Sequence, residues 1–309
     1  EQGLRTLAVA FEHVVSEFGF GESTPRALRD FLAYAYHQWQ QAPRYVLLLG
    51  DTSFDFKDYL DAPVKSKLPS LLLETSYLWT VSDPALAAVN GEDLLPDLAI
   101  GRLPAADVSE LQAMVQKILA YESSGQTLTD HIVLVTDNPD AAGNFHADAD
   151  ALATGVLSGL EVKKLYWTPS SDISEFRRAV QKELNDGTSL MSYIGHGAIH
   201  LWADENLFNI DHVPALEPQA QQSVLLTLNC LNGYFHFPFF DSLSESLLKA
   251  ADKGAVAAFS PSGLSLNTPA QVFHEALLQQ LLHGGHARLG DAVLAAQGDY
   301  AQAGALPEM

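Results

Sequence analysis

Ser223-Val224-Leu225-Leu226-Thr227-Leu228-Asn229-Cys230 is an apolar run that ends on the single cysteine of the chain. Asn232-Gly233 turns the backbone directly afterwards. A second run, Leu190-Met191-Ser192-Tyr193-Ile194, ends in Gly195-His196-Gly197. Both are strand-length and free of charge, the pattern of strands buried on both faces of a parallel sheet. Open parallel sheets carry their sites at the carboxyl edge, in the turns that leave the strands. A thiol and an imidazole 34 residues apart in sequence are thus expected at one edge. They read as a Cys–His dyad.

Outward from these runs the second half alternates regularly. Strands are expected at 131–136, 162–167, 189–194, 224–229 and 255–260, and helices at 146–158, 172–185, 242–252, 268–283 and 288–301. Gly187 and Gly254 follow helix ends, and Thr268-Pro269 reads as a helix start. In the first half Thr24-Pro25 opens a helix that carries Leu28, Phe31, Leu32, Ala35 and Trp39 at helical spacing. Strands are expected at 45–49 and 94–100, the latter leaving through Gly101-Arg102, and a helix at 107–122. Residues 52–93 show no clean periodicity. The polar stretch 122–127 is the best boundary, dividing an N-terminal α/β unit, 1–127, from a C-terminal unit, 128–309, that bears the dyad. The fold class is α/β with mostly parallel sheet.

Composition narrows the function classes. The chain has 309 residues, 38 of them acidic and 17 basic, for a formal charge of −21. Such a field repels nucleic acid and anionic membrane. No apolar run approaches the roughly 18–20 residues that span a bilayer. One cysteine excludes an intrachain disulfide framework.

The chemistry follows from residue types. Cys230 is either a small buried hydrophobe or a nucleophile, and its place at a strand end favours the second. A thiol attacks as thiolate, so it needs a base, and His196 is the candidate. Flanking glycines let backbone approach a substrate closely. The N–H groups of Gly197 and Cys230 are candidate oxyanion donors. Asp137, after the strand at 131–136, is the candidate acceptor that orients the imidazole, and Asp51 after Gly50 has comparable placement. Either acid alternatively serves a turn or a cap. His283 and His286 mark a helix C-terminus rather than a metal pair, and Asp51, Asp55 and Asp58 lack EF-hand spacing. The aromatic run Tyr234–Phe240 lines a cleft or covers the end of the core.

Gly195-His196-Gly197, Asn229-Cys230-Leu231-Asn232-Gly233 and Gly101-Arg102 together resemble the gingipain-like cysteine peptidases of the caspase–hemoglobinase clan. The stretches 45–51, Ser82-Asp83, 95–102 and Tyr121-Glu122 support the resemblance, which covers nearly the whole chain. It implies a three-layer α/β/α fold in two side-by-side subdomains, with His196 and Cys230 as the dyad of a peptidase acting through a thioester. It implies that Asp137 orients His196, in a position where gingipains carry Glu. Gingipains that cleave after Arg hold the guanidinium with an acid that falls here near Asn144-Phe145-His146, which offers no carboxylate. Strict Arg specificity is therefore not expected. Asp148 and Asp150, one turn on, read as ordinary first-turn acids. The resemblance places Asn144, Phe145, Asn229 and the loop bearing Ser260, Ser262 and Leu264 around the substrate. The apolar and small residues of that loop suit a neutral or apolar side chain. The chemistry needs no cofactor, and a structural calcium in the acidic 51–97 loops is an expectation from the family alone. Protein or peptide substrates, a larger parent polypeptide and a secreted or surface location are implied in the same way. A non-catalytic scaffold and a Cys-dependent transpeptidase are the alternative readings.

Overall fold

The fold is that of a computed structural model, which describes residues 3–304. Helices α1 (Phe11–Phe18) and α2 (Pro25–Gln38) lead into strand β1 (Tyr45–Leu49). Thr24 caps α2 by accepting the Ala27 N–H at 3.3 Å. α1 has no side-chain cap and buries only Val14, so it carries no punctuation for a sequence reading to find. The expected irregular stretch contains an antiparallel hairpin, β2 (Leu71–Glu74) and β3 (Trp79–Ser82), followed by the short helix α3 (Asp83–Ala87). β4 (Ala99–Leu103) then pairs in parallel with β1, Tyr45 opposite Ala99.

β4 lies later in the chain than expected, and Gly101-Arg102 sit inside it rather than at its exit. The Arg102 side chain accounts for this. It forks onto Asp83 through Nε at 2.7 Å and Nη2 at 2.8 Å. Its Nη1 donates to the carbonyls of Gly50 and Leu68. One buried guanidinium therefore ties β4 to α3, to the exit of β1 and to the loop before the hairpin.

After β4 come α4 (Val108–Ser124), β5 (Ile132–Thr136), α5 (Phe145–Thr154), β6 (Val162–Tyr166), α6 (Ile173–Asp186) and β7 (Leu190–Ile194). A small antiparallel sheet of β8 (Gly197–Ala198), β9 (Leu201–Trp202) and β10 (Phe208–Asn209) follows directly. The chain closes with β11 (Ser223–Leu228), α7 (Leu243–Lys249), β12 (Ala255–Phe259), α8 (Asn267–His283) and α9 (Leu289–Gln302). α8 begins one residue before the expected Thr268, at Asn267, whose side chain bonds Asp148. No helix of the described residues is long and apolar enough to cross a membrane.

The central sheet has the order β12-β11-β7-β5-β6, and all its pairs are parallel. Alternate residues feed opposite faces. Val133, Val135, Met191, Tyr193 and Leu225 pack with α6 and α7 through Phe176, Val180, Leu184, Leu243 and Leu247. Ile132, Leu134, Leu190, Ile194, Val224 and Leu226 pack with α5, α8 and α9 through Phe145, Leu152, Leu277, Leu278 and Ala296. These two cores make the three α/β/α layers. α9 also reaches the smaller sheet, where a Cβ on Gly290 would lie 3.1 Å from that of Ala99.

Buried cations join the parts of the chain. Lys117 on α4 is 3% exposed and donates to the carbonyls of Leu247, Lys253 and Ala255. Burial pulls its pKa down to about 7. The Lys249 ammonium, at the end of α7, lies 2.9 Å from Asp51, 2.8 Å from Asp241, 3.6 Å from Glu245 and 3.7 Å from Glu110. Burial would lower its pKa, but Glu245, Asp51 and Asp241 outweigh it and raise it. Four acids share one cation, so one acid must keep its proton most easily. Glu245 is that acid: burial first, then Asp51, pushes its pKa up to about 8.

A carboxyl raised from 4.5 to about 8 in the folded state holds its proton there while the unfolded chain releases it. Folding stability is therefore lost as pH rises through that window. Relative to Glu245→Gln, the wild type should lose about 2 kcal/mol between about pH 6 and pH 9. Chemical denaturation of both proteins across that range measures it, and a constant difference would contradict the assignment.

Candidate active site

β7 and β11 are neighbours in register, Ile194 opposite Leu228. The turns Gly195-His196-Gly197 and Asn229-Cys230-Leu231 consequently leave the same edge side by side. Gly195 N–H crosses to the Leu228 carbonyl at 3.2 Å, and Asp137 N–H, at the exit of β5, reaches the Ile194 carbonyl at 3.0 Å. His196 and Cys230 line one small cleft, with Phe145, Asn229, Ser265, Leu266 and Asn267 among its other walls.

Close approach explains the glycines. A Cβ on Gly195 would strike the Asp137 Cβ and lie 2.7 Å from the Tyr193 hydroxyl. A Cβ on Gly197 would strike the Asn229 amide and lie 2.8 Å from the Cys230 carbonyl. Any larger residue at Gly197 forces the two turns apart, and one at Gly195 forces the turn away from Asp137. Tyr193 Oη also donates to the His196 carbonyl at 2.7 Å, which fixes the backbone of the turn.

The thiol is half-buried. Its Sγ accepts the Ser265 N–H at 3.4 Å and donates to the Ser265 carbonyl at 3.6 Å. Leu231, directly after it, has φ 65°, a left-handed conformation that costs a residue with a Cβ about 1–2 kcal/mol. It is held there by its N–H to the Gly263 carbonyl at 3.0 Å and by Tyr234 N–H to its own carbonyl at 2.9 Å.

The imidazole of His196 bonds through Nε2 to Asp140 Oδ2 at 2.8 Å and stands edge-on to the Phe145 ring at 5.5 Å. Nδ1 is the ring nitrogen that Asp140 does not engage. Asp137 does not hold the ring. Its Oδ2 accepts the His196 backbone N–H at 3.3 Å, and its Oδ1 accepts the Asn138 N–H at 2.7 Å. Burial, partly offset by those two N–H groups, raises its pKa. Asp140 is largely exposed. Its small desolvation is outweighed by the Ala142 N–H and by His196, and its pKa is lowered. Sequence reasoning missed Asp140 because Asn138-Pro139-Asp140 reads only as a turn.

The other expected residues divide. Phe145 and Asn229 line the cleft, whereas Asn144 caps α5 by accepting the Ala147 N–H. Ser260 bonds the Ser244 hydroxyl, Ser262 donates to the Val81 carbonyl, and Leu264 is exposed. Ser265, Leu266 and Asn267 of the same loop form the wall instead. Asn267 Nδ2 donates to Asp148 Oδ2 at 3.0 Å, which ties a carboxylate to the cleft that was read as an ordinary first-turn acid. The aromatic run docks on the first half of the chain, through Phe54 N–H to the His236 carbonyl and Val64 N–H to the Pro238 carbonyl.

Asp51 is taken up by Lys249, far from any catalytic duty. Oxygens of Asp51, Asp241 and Glu245 lie within 4.8 Å of one another, as metal ligands would. The Lys249 ammonium fills the centre of that set, so the arrangement does not fit a calcium ion as well. His283 and His286 bond the Val156 carbonyl and Gln280.

A model of peptidase family C25 matches residues 1–308. Gingipain R2 of Porphyromonas gingivalis is 25% identical over 267 residues, which are 82% of this chain and 32% of that protein. Lys-gingipain W83 of the same organism is 23% identical over 261 residues, 81% of this chain and 14% of that protein. The crystal structure of the Arg specific cysteine proteinase gingipain R superposes with a TM-score of 0.73 at 19% identity, over 93% of this chain and 66% of that one. The complex of the pro- and mature domains of the Porphyromonas gingivalis protein RgpB gives a TM-score of 0.77 at 19% identity, over 100% and 71%. The structural likenesses establish the α/β caspase-like fold. This chain spans about a third or less of the curated relatives' length, 32% and 14%. With a family match over nearly its whole length, the chain belongs to peptidase family C25.

Proposed function

We propose that the chain is the catalytic part of a cysteine endopeptidase. The observation that carries this reading is the meeting of Cys230 and His196 in one cleft, at the ends of adjacent parallel strands. Cys230 Sγ attacks the scissile carbonyl carbon as His196 takes the thiol proton. The oxyanion is received by the N–H groups of Gly197 and Cys230. The C–N bond breaks, the leaving amine takes the proton from His196, and a thioester remains. Water, deprotonated by His196, hydrolyses the thioester and restores the thiol. No cofactor enters these steps. Asp140 orients the ring and Asp137 orients the backbone of the base.

Side-chain preference is read from the cleft. Phe145, Leu266 and Ala270 are among its apolar surfaces, and Asp148, which stands behind the Asn267 wall, already spends one oxygen on that residue. A guanidinium binds best to both oxygens of a carboxylate. Preference for basic residues without strict Arg specificity follows, in contrast to the neutral pocket expected from sequence. The relatives' lengths and the resemblance support a larger secreted or surface polypeptide that acts on proteins or peptides, and the polar stretch 122–127 alone supports units at 1–127 and 128–309.

A mass-spectrometric cleavage map of a peptide mixture tests the reading. Cuts made by wild type should vanish with Cys230→Ala at an unchanged circular dichroism spectrum. Cuts that persist in pure Cys230→Ala would remove the mechanism, and ligated products with an added amine would favour transpeptidation. Absence of cuts from wild type favours a scaffold.

Asp148→Asn should lower kcat/KM for basic residues about tenfold and leave apolar ones unchanged. An equal loss on both would sever Asp148 from specificity. Asp140→Asn should lower kcat about 10–100-fold with KM nearly constant. A wild-type kcat in that variant would mean that the Asp140 bond does not orient the base.

A further inference from the structure

Asn232 is fully buried two residues beyond Cys230, and its side-chain amide is spent on the two turns of the site. Its Nδ2 donates to the Ala198 carbonyl at 2.5 Å and to the Leu201 carbonyl at 3.1 Å, on either side of the β8–β9 turn that follows His196. Its Oδ1 accepts from Asn229 Nδ2 at 2.6 Å. Asn229, 4% exposed, places that amide where a Cβ on Gly197 would stand. The Asn232 carbonyl accepts the Ser244 N–H at 3.2 Å, which anchors the residue to the start of α7.

The orientation of both amides is forced. Backbone carbonyls only accept, so Asn232 must turn its NH2 toward Ala198 and Leu201. Its oxygen then needs a donor, so Asn229 must present its own NH2. The relay has one possible polarity, and it ends at Asn229 Oδ1, which is buried without a partner among the described residues. The sheet ladder holds β7 and β11 together only as far as Ile194 and Leu228. Past those residues the relative position of base and nucleophile depends on links between the turns, and this relay is the side-chain link.

We propose that Asn232 is a positioning residue for the dyad: its amide holds the turn after His196 against the turn that carries Cys230. The proposal rests on the cysteine-peptidase reading above. Aspartate is isosteric but, as a carboxylate, faces two carbonyls with no proton to offer. Protonated, it regains one donor.

The test compares wild type, Asn232→Asp, Asn232→Ser and His196→Ala. Peptide turnover and the rate of Cys230 alkylation by iodoacetamide are followed from about pH 5 to pH 9. In Asn232→Asp, kcat should fall about 10²-fold at neutral pH, with KM within about threefold. Part of the activity should return relative to wild type as the pH falls and the new carboxyl protonates. The alkylation profile of both variants should move toward that of His196→Ala. Serine serves as the second variant if aspartate impairs folding. Wild-type kcat and alkylation profile, with only the melting temperature lowered, would reduce Asn232 to a structural role and overturn the proposal. A wild type whose alkylation ignores His196→Ala overturns the dyad itself, so the two failures are told apart.

Discussion

The adjacency of β7 and β11 is the constraint on which the site depends. Parallel pairing with Ile194 opposite Leu228 delivers both turns to one edge at the same height. A register slip of one residue would turn every side chain of a strand to the other face. Both faces here are packed, Tyr193 and Leu225 into one core and Ile194 and Leu226 into the other. Core packing therefore sets the register, and the register sets where the thiol and the imidazole emerge. Gly197 then lets the turn after β7 pack against the turn that carries Cys230, and Gly195 lets it pack against Asp137.

The same chain spends its few cations on structure. With 17 basic residues against 38 acidic ones, Arg102, Lys117 and Lys249 are each buried at a junction between elements. Arg102 and Lys249 meet carboxylates, whereas Lys117 meets three carbonyl oxygens at the end of α7 and beside β12. Removing a cation from such a setting leaves its acceptors buried and unpaired, which costs more than a surface ion pair contributes. The acid surplus also explains why Glu245 is pushed toward its neutral form beside a lysine. One ammonium cannot compensate the four acids around it.

The central sheet was legible because its strands are apolar on both faces and end at glycine or polar turns. β5, β7 and β11 lie within a residue of expectation. The placement of His196 and Cys230 at one cleft was legible for the same reason, since a strand end is a local feature. The β2–β3 hairpin was not: its strands are four residues long and half exposed, with Leu72 and Trp79 facing solvent. β8 to β10 have two residues each, too few for any period. The parts played by Asp140, Asp148, Asn267 and Asn232 were not legible because they lie in partners distant in sequence. Asn267 and Asp148 are 119 residues apart, and Asn232 and Ala198 are 34.

The two acids near His196 show why position after a strand was an incomplete guide. Asp137 comes directly off β5 and is 3% exposed, so burial works against its charge. A carboxyl in that setting is well used by accepting backbone N–H groups that shape the turn. The partner of the imidazole faces a different demand in the proposed mechanism, where it must stay ionised while His196 gains a proton. Asp140, in the loop and open to water, keeps its charge at low cost, and its lowered pKa widens the range over which it does so. Folding pressure thus places one acid beneath the turn, and solvation suits the other to the ring.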